Sequence, residues 1–218
     1  MERGSKQSPL YGFRFSREHR RTVQTRNREV ISGAFARCSL QPGRVEVPLG
    51  DLSVNGKQTD KVALVVYFEP SSTLRTFVEL EESVISRREV CVVRGSMIDW
   101  AEQTVPFWLF GNSILTVRER FEGNGLGSAL LIGSEKLCLG WARTLGEPTR
   151  VIAHHFDGAY GAEESADCRR GYRTGWTGNI LSKLGYTNKR EALEYYLGEA
   201  KVAQMGNPER NWLKIFRE

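Results

Sequence analysis

Three glycines spaced two apart, Gly123, Gly125 and Gly127, restrict this chain more than any other stretch in it. Ahead of them stands a short β-branched run, Ile114 to Val117, and directly behind them an apolar helical pattern opens with Ala129, Leu130 and Leu131. The spacing predicts a strand that feeds a helix through backbone almost bare of side chains. Without a Cβ the main chain can take positive φ and approach a ligand closely. The first N–H groups of the helix have no internal acceptors and lie at the positive end of its dipole, so the turn suits an anion such as a diphosphate.

Spacing excludes two common phosphate-binding loops. No Gly-Lys-Ser/Thr closes the run, so it is not a P-loop. The dinucleotide pattern Gly-x-Gly-x-x-Gly fails because the residue three after Gly125 is Ser128. What is left, an apolar strand followed by x-x-Gly-x-Gly and small-Leu-Leu, resembles the acyl-CoA-binding motif of the GNAT (GCN5-related N-acetyltransferase) superfamily. That consensus, close to Val-x-Pro-x-Tyr-Arg-Gly-x-Gly-Ile-Gly-x-x-Leu, lies over Val117 to Leu130 and departs at Glu122, where the family usually has Arg or Gln. A second stretch, Trp176 to Tyr186, is similar to the family's later helix, which commonly ends Leu-Tyr-x-Lys-Leu-Gly-Phe; here Leu184-Gly185-Tyr186 matches, with Gly185 as a C-cap.

The resemblance implies an α/β fold (α+β mixed sheet) of GNAT-like type: a largely antiparallel twisted sheet with a splayed parallel strand pair and flanking helices. It implies acetyl-CoA as co-substrate and an amine-bearing small molecule or protein as acceptor. Cofactor-binding residues carried over are Leu115, Thr116 and Val117 on the strand, then Glu122, Gly123, Asn124, Gly125, Leu126, Gly127 and Ser128 in the turn, and Asn179 in the later helix. Acyl transfer to an amine needs a base, a polarised carbonyl and a proton for the departing thiolate. His155, His154 and Asp157, at the end of a predicted strand, are the base candidates. The tyrosine that often serves as acid in the family falls at Leu181, so Ser182, Tyr160 or Tyr172 must substitute, or water.

Elsewhere the residues read for themselves. Ser16 to Ala36 predicts a capped helix with a basic face of Arg17, Arg20, Arg21, Arg26 and Arg28. Val54-Asn55-Gly56-Lys57 is a hairpin turn, and strands are predicted over 62–68, 76–81, 89–94, 107–110 and 114–117, with a turn or bulge at Gly111-Asn112. The helix after the glycines ends at Gly146 and Pro148, a strand follows over 149–156, a helix spans Ala192 to Met205 with Leu193, Tyr196, Leu197 and Ala200 on one face, and 211–216 closes the sheet. The recognisable core covers about 62–218 of a single domain 1–218, with residues 1–61 a basic part of uncertain role.

Forty per cent hydrophobic and 26% charged residues describe an ordinary globular chain. No apolar run is long enough to span a bilayer, and no signal-peptide pattern is present, so no membrane association and a cytoplasmic location are the expectation. Cys38, Cys91, Cys138 and Cys168 lack metal or redox spacing, and adjacent strand histidines face opposite ways, so no metal is expected. Net charge of +5 suits an anionic partner. The alternative to an enzyme is a non-catalytic module that keeps the CoA fold, or that holds nucleic acid or an acidic protein with its basic helix; a homodimer is compatible with either.

Overall fold

The computed structural model describes residues 16–39, 41–54, 57–59, 61–69, 73–83, 85–99, 108–117, 121–145, 151–156, 181–204 and 211–216. Helix α1 is Arg17–Ala36, capped by Ser16, whose Oγ accepts from the His19 N–H at 3.1 Å. Then come β1 (Gly43–Pro48), the hairpin β2 (Leu52–Val54) and β3 (Lys57–Thr59), β4 (Val62–Glu69), β5 (Thr73–Ser83), β6 (Ser86–Asp99) and β7 (Trp108–Val117). Helix α2 (Leu126–Leu145), β8 (Val151–Phe156), α3 (Arg190–Leu197), α4 (Glu199–Gln204) and β9 (Asn211–Phe216) follow.

Seven strands form one mixed sheet in the order β1-β4-β5-β6-β7-β8-β9. Every neighbouring pair is antiparallel except β7 and β8, which run parallel. That exception follows from α2, because a crossover helix returns the chain to the same end of the sheet. Helices α1 and α2 cover one face, where Ile31, Phe35, Leu64, Val66, Val78, Val93, Leu130 and Leu131 share a core. Leu193, Leu197 and Val202 of α3 and α4 pack on Leu213 in a second, smaller cluster. Residues 17–54 are therefore part of the main core, since Ile31, Ala34, Leu49 and Leu52 are buried in it.

Two sequence expectations need correction. The helix over 192–205 is two helices, because Gly198 takes φ 88° and breaks it. The break rotates the following turn, so Val202 is buried and Ala200 is exposed. The Asn-Gly hairpin, by contrast, closes as spaced, with Val54 paired to Lys57. Of the cysteines, Cys91 and Cys138 are buried free thiols, Cys38 is half-buried, and Cys168 lies outside the described residues.

A buried polar cluster ties the C-terminal part to α2. Glu135, 2% exposed, accepts from the Tyr186 hydroxyl at 2.7 Å and from Lys214 Nζ at 2.6 Å. Tyr186 is delivered by a helix end in which its N–H reaches Leu181 O at 3.0 Å and the Gly185 N–H reaches Ser182 O at 3.1 Å, so Gly185 is the C-cap the sequence predicts. Burial raises the Glu135 carboxyl above its ordinary value, opposed by the bonds from Lys214 and Tyr186.

Between the ordinary and the raised value the folded chain holds a proton that the unfolded chain releases, so this group's contribution to stability falls as pH rises through that window. Urea unfolding of the wild type and Glu135→Gln across that range should show the wild type losing stability relative to the variant as pH rises; an opposite slope would contradict the assignment. A second test concerns the helix crossing. A Cβ at Gly133 would lie 2.0 Å from the Cδ2 and Cε2 atoms of Phe35. Gly133→Ala should cost about 1–3 kcal/mol in urea unfolding, with Phe35→Leu in the same chain restoring part of it.

Candidate functional site

β7 carries a bulge at the place where the sequence shows an interruption. Arg94 pairs with Ile114 and Gly95 with Asn112, leaving Ser113 as the extra residue. On the other side, β7 pairs with β8 from Trp108 and Val151 to Asn112 and His155. The parallel ladder stops there, beside the bulge. β7 continues through Val117 with β6 as its only ladder partner among the described residues. A bulge bends its strand and increases local twist, so β7 changes direction at the residue that follows the last one paired with β8. The glycine turn lies just beyond the end of β7.

The turn is rooted by Phe121, which is 4% exposed, and closed from inside by Asn124, whose Nδ2 donates to Phe121 O at 2.9 Å and Glu122 O at 3.3 Å. Gly123 and Gly125 take φ 77° and 79°, as bare backbone there permits. Gly127 differs: it is buried within α2. The Ser128 hydroxyl and the Ala129 N–H both donate to Gly125 O, each at 3.2 Å, which starts the helix. The main-chain N–H groups of Leu126, Gly127 and Ser128 have no acceptor among the described residues, as the first turn of a helix requires. The exposed residues of the turn are Glu122 and Gly123.

Helix α1 backs this turn. Gln24 Nε2 donates to Gly123 O at 2.9 Å. Asn27, fully buried, donates to Asn124 O at 3.0 Å and Ser53 O at 2.7 Å, while its Oδ1 accepts from the Ser53 N–H at 2.9 Å. The helices approach so closely that a Cβ at Gly125 would lie 3.2 Å from Gln24 Cα. Sequence reasoning missed Gln24 and Asn27. The one local signal is that Asn27 interrupts an apolar stripe running through Val23, Ile31 and Ala34, where a polar residue must find buried partners.

Of the strand residues inferred to touch the cofactor, Leu115, Thr116 and Val117 occupy the part of β7 beyond the β8 ladder. Glu122 is exposed at the turn, Leu126 is a core side chain at 1% exposure, and the Asn124 and Ser128 side chains are turned inward, so these last three would address a ligand through the main chain. His154 and His155 lie in β8 opposite Gly111 and Asn112, at the end of the ladder. Asp157, Asn179, Tyr160 and Tyr172 lie outside the described residues. Ser182 is exposed near the helix end, whereas Leu181 is fully buried in the main core. Among the described residues no group of His, Cys, Asp and Glu side chains is arranged to hold a metal, and no helix is long and apolar enough to cross a membrane.

No family model matches the chain, and no curated protein matches it. Among solved structures, a crystal structure of Arabidopsis thaliana NAA60 in complex with a bisubstrate analogue aligns with a TM-score of 0.37 at 12% identity, over 55% of this chain and 64% of that one.

Proposed function

We propose that the chain is a single-domain acyltransferase of the GNAT type that moves an acetyl group from acetyl-CoA to an amine. The observation that carries the reading is the order along β7: the β7–β8 ladder ends at the bulge, and the glycine turn follows the end of β7 in the chain. Main chain along 113–117 with no β8 ladder among the described residues, and amides without helix acceptors at the start of α2, would offer partners for an extended amide-bearing arm and for its diphosphate. Bare glycines leave room for that approach, and among the described residues nothing lies within 4 Å of the Cβ position of Gly123.

Bound acetyl-CoA would supply an activated thioester; the chain must do the rest. Main-chain N–H groups near Val117 are assigned to polarise the acyl oxygen. The attacking amine must be neutral and must lose a proton after it bonds to carbon, and His155, His154 and Asp157 are the candidates to take it. The sulfur that leaves carries the electron pair of the broken C–S bond and needs a proton, for which Ser182 or water is assigned. The acceptor is left as an amine of a small molecule or a protein.

A second reading, a non-catalytic acyl-CoA-binding module, draws on one observation: Leu181, where the family's tyrosine falls, is apolar and fully buried. A third, an anionic macromolecule held by α1, draws on its exposed Arg17, Arg20, Arg21 and Arg28. In a thermal-shift titration, acetyl-CoA at about 100 times its Kd should add about 2.7 kcal/mol to stability. Binding without thioester turnover across an amine panel would favour the module, and salt-sensitive nucleic-acid binding with no CoA response would favour the third reading. Gly123→Asp places a carboxylate beside the amides at a left-handed position that Asp tolerates better than most residues. It should weaken CoA binding tenfold or more, an order-of-magnitude expectation for like charge at a phosphate site, while costing about 1–2 kcal/mol of fold stability.

A further inference from the structure

Two of the turn's carbonyls are held by the same helix. Gly123 O accepts from Gln24 at 2.9 Å and Asn124 O accepts from Asn27 at 3.0 Å, so both oxygens point towards α1. In a trans peptide the N–H lies opposite the C=O of the same plane. Fixing those oxygens therefore turns the N–H groups of Asn124 and Gly125 away from α1. The packing is equally specific: the missing Cβ of Gly125 leaves a gap that the Gln24 main chain and side-chain stem occupy, at 3.2–3.3 Å from where that atom would be.

A turn with two glycines at positive φ has more alternative conformations open to it than any other backbone, and each must be lost before it can bind an anion. Helix α1 removes that freedom in advance. It is itself held rigidly, through the three bonds of Asn27 to Ser53 and Asn124 and through the close crossing of Phe35 on Gly133.

We infer that Gln24 and Asn27 are positioning residues for the diphosphate of the acyl carrier: they clamp the carbonyl side of the glycine turn so that its amide side is set before the ligand arrives. The inference rests on the acyl-CoA reading above. It assigns a binding task to the segment 17–36, which precedes every part of the recognisable motif. It also separates two jobs within one helix, since Arg17, Arg20, Arg21 and Arg28 are exposed while Gln24 and Asn27 meet the turn.

The test uses Gln24→Met in the full-length chain, which keeps the stem packed on Gly125 and removes only the donor. Asn27→Ala strands buried groups of Ser53 and Asn124 and threatens the fold, so it is the lesser probe. Calorimetric Kd values are measured for CoA and for pantetheine, which lacks the diphosphate, alongside a urea midpoint without ligand. The expected result is an unchanged midpoint, a CoA Kd raised about three- to tenfold, and a smaller ratio of CoA to pantetheine affinity. An unchanged CoA Kd, or equal losses for both probes, would overturn the clamp while leaving the acyl-CoA reading in place. A wild-type chain that binds no CoA would overturn that reading and the clamp together.

Discussion

The architecture depends on how closely α1 can lie against α2. Helices with ordinary side chains between them sit about 8–10 Å apart. Here Gly125 and Gly133 open the contact at two points, admitting Gln24 at one and the Phe35 ring at the other. Because the earlier residue of α1 meets the earlier residue around α2, the helices run side by side in the same direction. That arrangement seals the apolar face of β4, β5 and β6 and brings polar groups of α1 to the glycine turn. If α1 moved outward by one side-chain radius, the core would open and the turn would lose its backing at once.

The sheet contributes the other half of the site through one irregularity. Ahead of the bulge β7 pairs in parallel with β8, from Trp108 and Val151 onward. The extra residue, Ser113, ends that match just where Asn112 meets His155. A single inserted residue thus marks where β7 passes from two ladder partners to one among the described residues.

What the sequence reveals and conceals follows from the range of the forces involved. The Ser16 cap, the pairing of Val54 with Lys57, the strand over 62–69 and the positive φ of Gly123 and Gly125 are all set by neighbouring residues, and each was legible. The interruption at Gly111-Asn112 was also visible, but its nature depended on the partner strand. Gly198 was missed because an isolated glycine inside a helical pattern is often tolerated, and only its φ shows that this one is not. Gln24 and Asn27 were invisible as parts of the site, since their partners in the turn lie 99 and 97 residues away in the chain, respectively. Glu135 likewise reads as an ordinary charged helix position until Tyr186 and Lys214 are brought to it.

The outermost strand, β1, has its own consequence. Its exposed positions carry Arg44, Glu46 and Pro48, of which the first two are engaged with Glu79 of β5 and Arg87 of β6, across β4. Proline has no N–H to offer a newcomer, and a lattice of fixed charge is a poor template for a foreign strand. This border of the sheet therefore resists being lengthened by a second chain, and crowded copies of the protein gain little by aligning there.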